Sequence, residues 1–308
     1  MKAKNKGETK KFAQNKRLIC ATIAIITIIL LASIFFYFHP NQPSQPKAAI
    51  IDQLSSSQLS AGSQHKNETF VKEVKELLYK RFSEIDYYSD NATVDQYSRL
   101  SSLGYKLIVW RVHSALDPEN YVAICSSEKY DPIHDPRKYE QYSGDQLKLC
   151  NITGDPYSYF AITPYFIKEC MSGRFEDTVI ILMSCNGLKQ GYYKTAETFI
   201  EKGVKVFISW DGWIDPSDND HATALLLDYL INKNNTINEA VGNIPQYFSP
   251  FYGSSKLDYY PLEVGNYHIP NYKQTNITNK ADFVAIAISR KIKTKKQLTM
   301  NQMVLDSS

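Results

Sequence analysis

The chain contains no Cys-x-x-Cys pair and no Cys/His cluster at metal-ligand spacing, so neither a metal site nor any other cofactor is expected. It has no internal repeat. It also lacks a basic folded face. The net charge of +3 arises from a short N-terminal run, Lys2, Lys4, Lys6, Lys10, Lys11, Lys16 and Arg17, set against one acid, Glu8. The remainder is slightly acidic, which removes nucleic acid from the expected partners. What is left is an ordinary globular composition able to form a sizeable core, since 43% of the 308 residues are hydrophobic and 22% are charged.

The first feature present is an uninterrupted apolar run. Residues 18–38 (LICATIAIITIILLASIFFYF) carry no charge. At ~1.5 Å rise per residue a helix of that length spans about 30 Å, the thickness of a hydrocarbon core. Basic residues precede the run and HPNQPSQP follows it, so the positive-inside bias makes residues 1–17 a cytoplasmic tail and places everything after His39 outside the cell membrane. The run is too long for the core of a cleaved signal peptide and ends in Phe35, Phe36, Tyr37 and Phe38, so it is expected to remain as an anchor in contact with lipid. Cys20 falls inside it. Cys125, Cys150, Cys170 and Cys185 fall outside, where disulfides are permitted. Cys125 and Cys150 could pair as neighbouring strand ends, but sequence leaves the connectivity open. Sequons at Asn67, Asn91, Asn151, Asn234 and Asn276 are compatible with glycosylation of an external domain.

Residues 39–66 are rich in Pro, Gln and Ser, with one apolar patch at 48–51, and read as a flexible stalk. Over residues 67–85, Phe70, Val71, Val74, Leu77, Leu78, Phe82 and Ile85 recur at helical spacing with Lys and Glu opposite them, which predicts an amphipathic helix. A second helix is expected over 94–102, then strands over 106–112, 121–125, 147–150 and 159–162, and a helix over 163–171. The run TVIILM at 178–183 is continuously apolar, as a central strand is when both its faces are covered. Helix 192–202, strand 204–209, helix 218–233 and a short helix at 237–241 complete an alternating pattern. That alternation implies an α/β domain over 67–290 with a mainly parallel central sheet, followed by a polar tail at 291–308.

In such sheets catalytic groups gather at the carboxyl ends of the strands. The strand KLIVWRV ends at His113-Ser114-Ala115, and TVIILM ends at Ser184-Cys185-Asn186-Gly187. If the two strands are neighbours, an imidazole and a thiol emerge on one edge, which is what a cysteine hydrolase needs of its base and its nucleophile. Gly187 would allow a tight turn there, and main-chain N–H groups beside Cys185 could hold an oxyanion. His134, His221 and His268 compete with His113 for the role of base. Glu128, at the end of the strand YVAIC, is a candidate to support His113 or to bind substrate.

A strand ending in His, then a strand ending in Cys-x-Gly, then helix, strand and the acidic loop Trp210-Asp211-Gly212-Trp213-Ile214-Asp215 resembles the caspase-like clan of cysteine peptidases, which includes caspases, gingipains, clostripain-type enzymes and separase. More narrowly, RVHSA with MSCNGLKQGYYKTAETFIEKGVKVFISWDGWI is similar to archaeal membrane-anchored caspase-like proteins. The resemblance covers about residues 103–241. It implies a three-layer sandwich, with Cys185 as nucleophile and His113 as general base. Where the family commonly carries Gly after the His, with an N–H that helps form the oxyanion hole, this chain has Ser114. Asp211, beside Trp210, falls near the family's substrate-pocket Asp and implies a basic substrate residue before the cut. Asp215 and Asp218 are weaker candidates, and the alternative is that Asp211, Gly212 and Asp215 form a turn and cap the helix beginning near Asp218. Two functions follow as expectations: a membrane-anchored extracellular cysteine endopeptidase acting on peptide or protein, or a binding or adhesion module that keeps the fold without catalysis.

Overall fold

The computed structural model describes residues 46–60, 65–131 and 133–273, together with Thr27. The chain divides into two units after Gln45, and the second, from Pro46, carries the fold described here. The expected span at 18–38 lies, apart from Thr27, outside the described residues, as do the tail 1–17 and residues 274–308. Among the described residues no helix is long and apolar enough to cross a membrane.

The elements, in chain order, begin with β1 (Lys47–Asp52), α1 (Glu68–Leu78), β2 (Ile85–Tyr88), α2 (Val94–Arg99) and β3 (Tyr105–Arg111). An excursion follows through β4 (Ser114–Asp117), β5 (Tyr121–Lys129), α3 (Pro136–Ser143), β6 (Leu147–Asn151), β7 (Ser158–Ile162) and α4 (Pro164–Glu169). The chain returns through β8 (Thr178–Met183), α5 (Lys194–Glu201), β9 (Val204–Trp210), α6 (Pro216–Leu227) and α7 (Ile237–Gly242). It closes with the short strands β10 (Tyr247–Ser249), β11 (Gly253–Ser255) and β12 (Leu257–Tyr260).

The central sheet has the order β12-β9-β8-β3-β1-β2, parallel throughout except for β12, which runs antiparallel to β9 at the edge. Successive strand residues point to opposite faces, and each face has its own core. On one side Ile50, Val109, Ile181 and Ile208 pack with Phe70 and Val74 of α1, Leu226 of α6 and Ile237 of α7. On the other, Ile51, Ile108, Trp110, Ile180 and Phe207 pack with Tyr97 of α2, Phe166 of α4, Phe199 of α5 and Ile124 of the second sheet. All six residues of β8 are buried, which is why TVIILM shows no alternation. The antiparallel second sheet, β4-β5-β7-β6, keeps a smaller core of its own around Tyr121, Cys125, Cys150 and Tyr159. Cys125 and Cys150 are joined there by a disulfide.

The stalk expected over 39–66 is corrected by β1. Lys47–Asp52 lies inside the sheet between β2 and β3, with Ala48 to Ile51 fully buried, so the folded domain begins by residue 46 rather than 67. Four apolar residues bury as much per residue as a longer run does, but amid Pro, Gln and Ser they are too few to show a period. The helix expected over 67–85 is also shorter. It ends at Leu78, and Ile85–Tyr88 is the sheet's edge strand.

This strand order places the site. From β1 the chain steps outward to β2, then returns across β1 to β3 and continues to β8 and β9. The direction of winding therefore reverses between β1 and β3, and the crevice outside the carboxyl ends at such a reversal is where open α/β sheets hold ligands.

Candidate functional site

His113 and Cys185 follow the carboxyl ends of β3 and β8, which are adjacent and parallel, with Arg111 opposite Met183 in register. Both line one cleft of about 340 Å³, together with His65, Ser114, Trp213, Asp215, Asn219 and Tyr252. Two bonds tie the nucleophile loop to its surroundings. The Ser114 hydroxyl donates to the Cys185 carbonyl at 2.5 Å, and the Asn186 N–H donates to the Gly212 carbonyl at 2.7 Å. Asn186 turns the chain with φ of 58°, a left-handed conformation that Asn tolerates better than most side chains.

In this arrangement the thiol and the imidazole are both neutral and do not hydrogen-bond each other. The Cys185 thiol donates to the Ile214 carbonyl at 3.6 Å. Burial raises its pKa, the Asp215 carboxylate adds to the rise, and hydrogen bonding to the Ile214 main chain works against it. His113 is pushed down to about 4, first by burial and then by the neighbouring His65 imidazole and Arg111 guanidinium. Its main-chain N–H donates to Gln53 Oε1 at 3.1 Å, while its Nε2 is buried with no hydrogen-bond partner.

Beneath His113 lies a buried ionic cluster. Arg111, 1% exposed, donates to Asp52 at 2.9 Å and grips Asp220 with two bonds of 2.6 and 2.9 Å. Burial works against the guanidinium charge, but Asp220 and Asp52 outweigh it and hold the pKa above its ordinary value. The cluster joins the ends of β1 and β3 to the first turns of α6. A charged residue inside the apolar strand KLIVWRV was the sequence signal for it, because a buried arginine must find counter-charges.

The other expected site residues lie elsewhere. Trp210 is 1% exposed, packs in the core and donates its indole N–H to Asn219 Oδ1 at 2.9 Å. Asp211 is exposed and accepts from the Lys256 N–H at 2.7 Å, so it fastens β12 to the end of β9 rather than lining the cleft. Glu128 accepts from the Val94 N–H at the start of α2 and pairs with Lys138. The acid that does line the cleft is Asp215. Gly187 has a packing reason of its own: a Cβ there would sit 2.0 Å from Ser209 Oγ. His134, His221 and His268 are exposed and outside the cleft.

Sequence reasoning missed His65, which sat in the supposed stalk, and Tyr252, whose ring stacks on Trp213 at 4.8 Å to form one cleft wall. Neither carries a local signal, because each reaches the site from a distant part of the chain. The chain matches no protein-family model, and no curated protein is significantly similar to it.

Proposed function

We propose that this chain is a cysteine peptidase of the caspase-like kind, with Cys185 as nucleophile and His113 as general base. The observation that carries the proposal is the emergence of both groups from adjacent parallel strand ends into one cleft. The thiol leaves the Ile214 carbonyl as a peptide enters and gives its proton to the neutral His113. The sulfur then bonds to the substrate carbonyl carbon. The imidazolium returns the proton to the departing amine as the C–N bond breaks, and water releases the acyl group from sulfur. A basic side chain in the substrate would meet Asp215 in the cleft, in place of the role first given to Asp211. The N-terminal apolar run anchors the enzyme in the cell membrane with its domain outside, a setting in which the Cys125–Cys150 disulfide persists.

The hydrogen bond from the thiol to Ile214 favours a second reading, a binding module that keeps the fold without chemistry. Labelling of the detergent-solubilised full chain with an Arg-bearing acyloxymethyl ketone separates the two, with the labelled residue identified by peptide mapping. The peptidase reading expects labelling at Cys185, lost in Cys185→Ala and reduced at least about 100-fold in His113→Ala, a typical contribution of a general base. Undiminished labelling in Cys185→Ala would remove the nucleophile assignment. Labelling no faster than at Cys170, the other free cysteine among the described residues, would favour the binding module.

A further inference from the structure

We propose that His65 is a positioning residue for His113: a second imidazole, fixed on the cleft wall, that meets the first edge-on and sets its orientation. The inference rests on the Cys185/His113 reading above. Three observations support it.

The first is the ring geometry. His65 and His113 both line the cleft, with ring centroids 6.1 Å apart and planes at 79°, so one ring presents its edge to the other. The second is the anchoring of His65. Arg111 Nη2 donates to the His65 carbonyl at 2.8 Å, and two residues later Asn67 Nδ2 donates to Asp220 at 2.9 Å while its Oδ1 caps α1 through the Phe70 N–H. The stretch 65–67 is therefore fastened at both ends to one buried ionic cluster, and the wall it builds carries an imidazole. The third is the state of His113. Its hydrogen bonds run through its main chain, to Gln53 and from the Cys125 N–H, while Nε2 has none. No hydrogen bond at Nε2 holds the ring, and the edge-on His65 ring is one of the groups that face it in the cleft.

The electrostatic consequence follows from the groups around His113. These are Arg111 on its own strand, facing Asp52 and Asp220; Cys185 and Asp215 across the cleft; and His65. A charge on either imidazole opposes a second positive charge on the other. At about 6 Å, and for effective dielectric constants between about 20 and 80, that opposition amounts to about half to two pH units in the His113 midpoint. The ring contact sets the orientation of His113, and any lowering of its midpoint also weakens it as a base toward Cys185.

The test uses the full chain in detergent with ¹³C-labelled histidine, the His113 signal being assigned by its loss in His113→Gln. His65→Phe keeps a ring that cannot be charged. His65→Lys removes the ring and carries a charge. Because Arg111 grips the main chain of His65, neither substitution touches the anchor, and thermal midpoints check that the fold is kept. Should Phe disturb packing, His65→Gln carries the same expectation. His65→Phe is expected to raise the His113 midpoint by about half a pH unit or more, and to move the acid limb of Cys185 alkylation by iodoacetamide upward with it. His65→Lys is expected to keep that midpoint while slowing alkylation several-fold. A His113 midpoint unchanged in both His65→Phe and His65→Gln overturns the proposal whatever the enzyme's activity. A midpoint that moves while Cys185→Ala retains full hydrolysis would support the coupling and refute the nucleophile assignment instead.

Discussion

Replacing Arg111 by Met tests the foundation of the site. The substitution keeps much of the side chain's length and removes its charge, leaving Asp52 (0% exposed) and Asp220 (5%) without their shared counter-ion. It also strips a hydrogen bond from the His65 carbonyl and a cation from the face of Phe70, 5.8 Å away. Breaking a buried ion pair from one side costs about 3–5 kcal/mol, far more than the intact pair contributes over an apolar substitute, because the uncompensated charges stay buried. For a domain of this size each kcal/mol is worth roughly 2–4 °C, so the thermal midpoint at pH 7 should fall by roughly 6–20 °C. The pH dependence has a definite sign. Two carboxylates left without a counter-charge hold protons more tightly in the folded chain than in the unfolded one, so the variant gains relative stability as pH falls. Its deficit against the parent is therefore largest near pH 7 and narrows toward pH 4. Adding Asp52→Leu and Asp220→Leu to Arg111→Met should recover most of the loss, since a filled apolar site carries no orphan charge. Calorimetry or urea unfolding at pH 4 and pH 7 reads all three outcomes. A cost below about 1 kcal/mol at pH 7, the range of exposed pairs, would refute the claim that this cluster is a buried and mutually dependent unit.

Two further outcomes concern the frame around the cleft. Gly187→Ala should destabilise the domain by about 1–3 kcal/mol through overpacking against Ser209, and Ser209→Gly should relieve part of that cost in a double-mutant cycle; strict additivity would show that the two positions do not collide. Replacing Cys125 and Cys150 together by Ala opens a cross-link spanning 25 residues and should lower stability by about 3–4 kcal/mol, measured by urea unfolding, whereas an unchanged midpoint would mean that the bond does not constrain the unfolded chain.

Much of the fold was legible before any coordinate. The strand expected at 178–183 is Thr178–Met183, and those expected at 106–112 and 204–209 are Tyr105–Arg111 and Val204–Trp210. Each is a run of β-branched and aromatic residues long enough to be read from its own neighbours. The adjacency of β3 and β8, on which the candidate dyad depends, stood in the sequence only as a condition, because alternation implies parallel strands without fixing their order. By contrast, β1 has its apolar run confined to residues 48–51 beside a Pro-, Gln- and Ser-rich stretch and enters the sheet between strands that come later in the chain. Its membership is set by partners in β2 and β3 and leaves no period of its own.

What the sequence by itself determined, then, is the set of strong local elements and the placement of His113 and Cys185 at strand ends. Tertiary structure alone decided which other groups meet them. Arg111 reaches His65 across 46 positions, Asp52 across 59 and Asp220 across 109. Asp211 turns away to hold Lys256, while Asp215, four residues on, lines the cleft. The physical reason is common to all of these. Periodicity records how a residue relates to its neighbours along the chain, whereas a buried charge or a cleft-lining ring is placed by counter-charges and packing surfaces that come together only when the sheet has assembled.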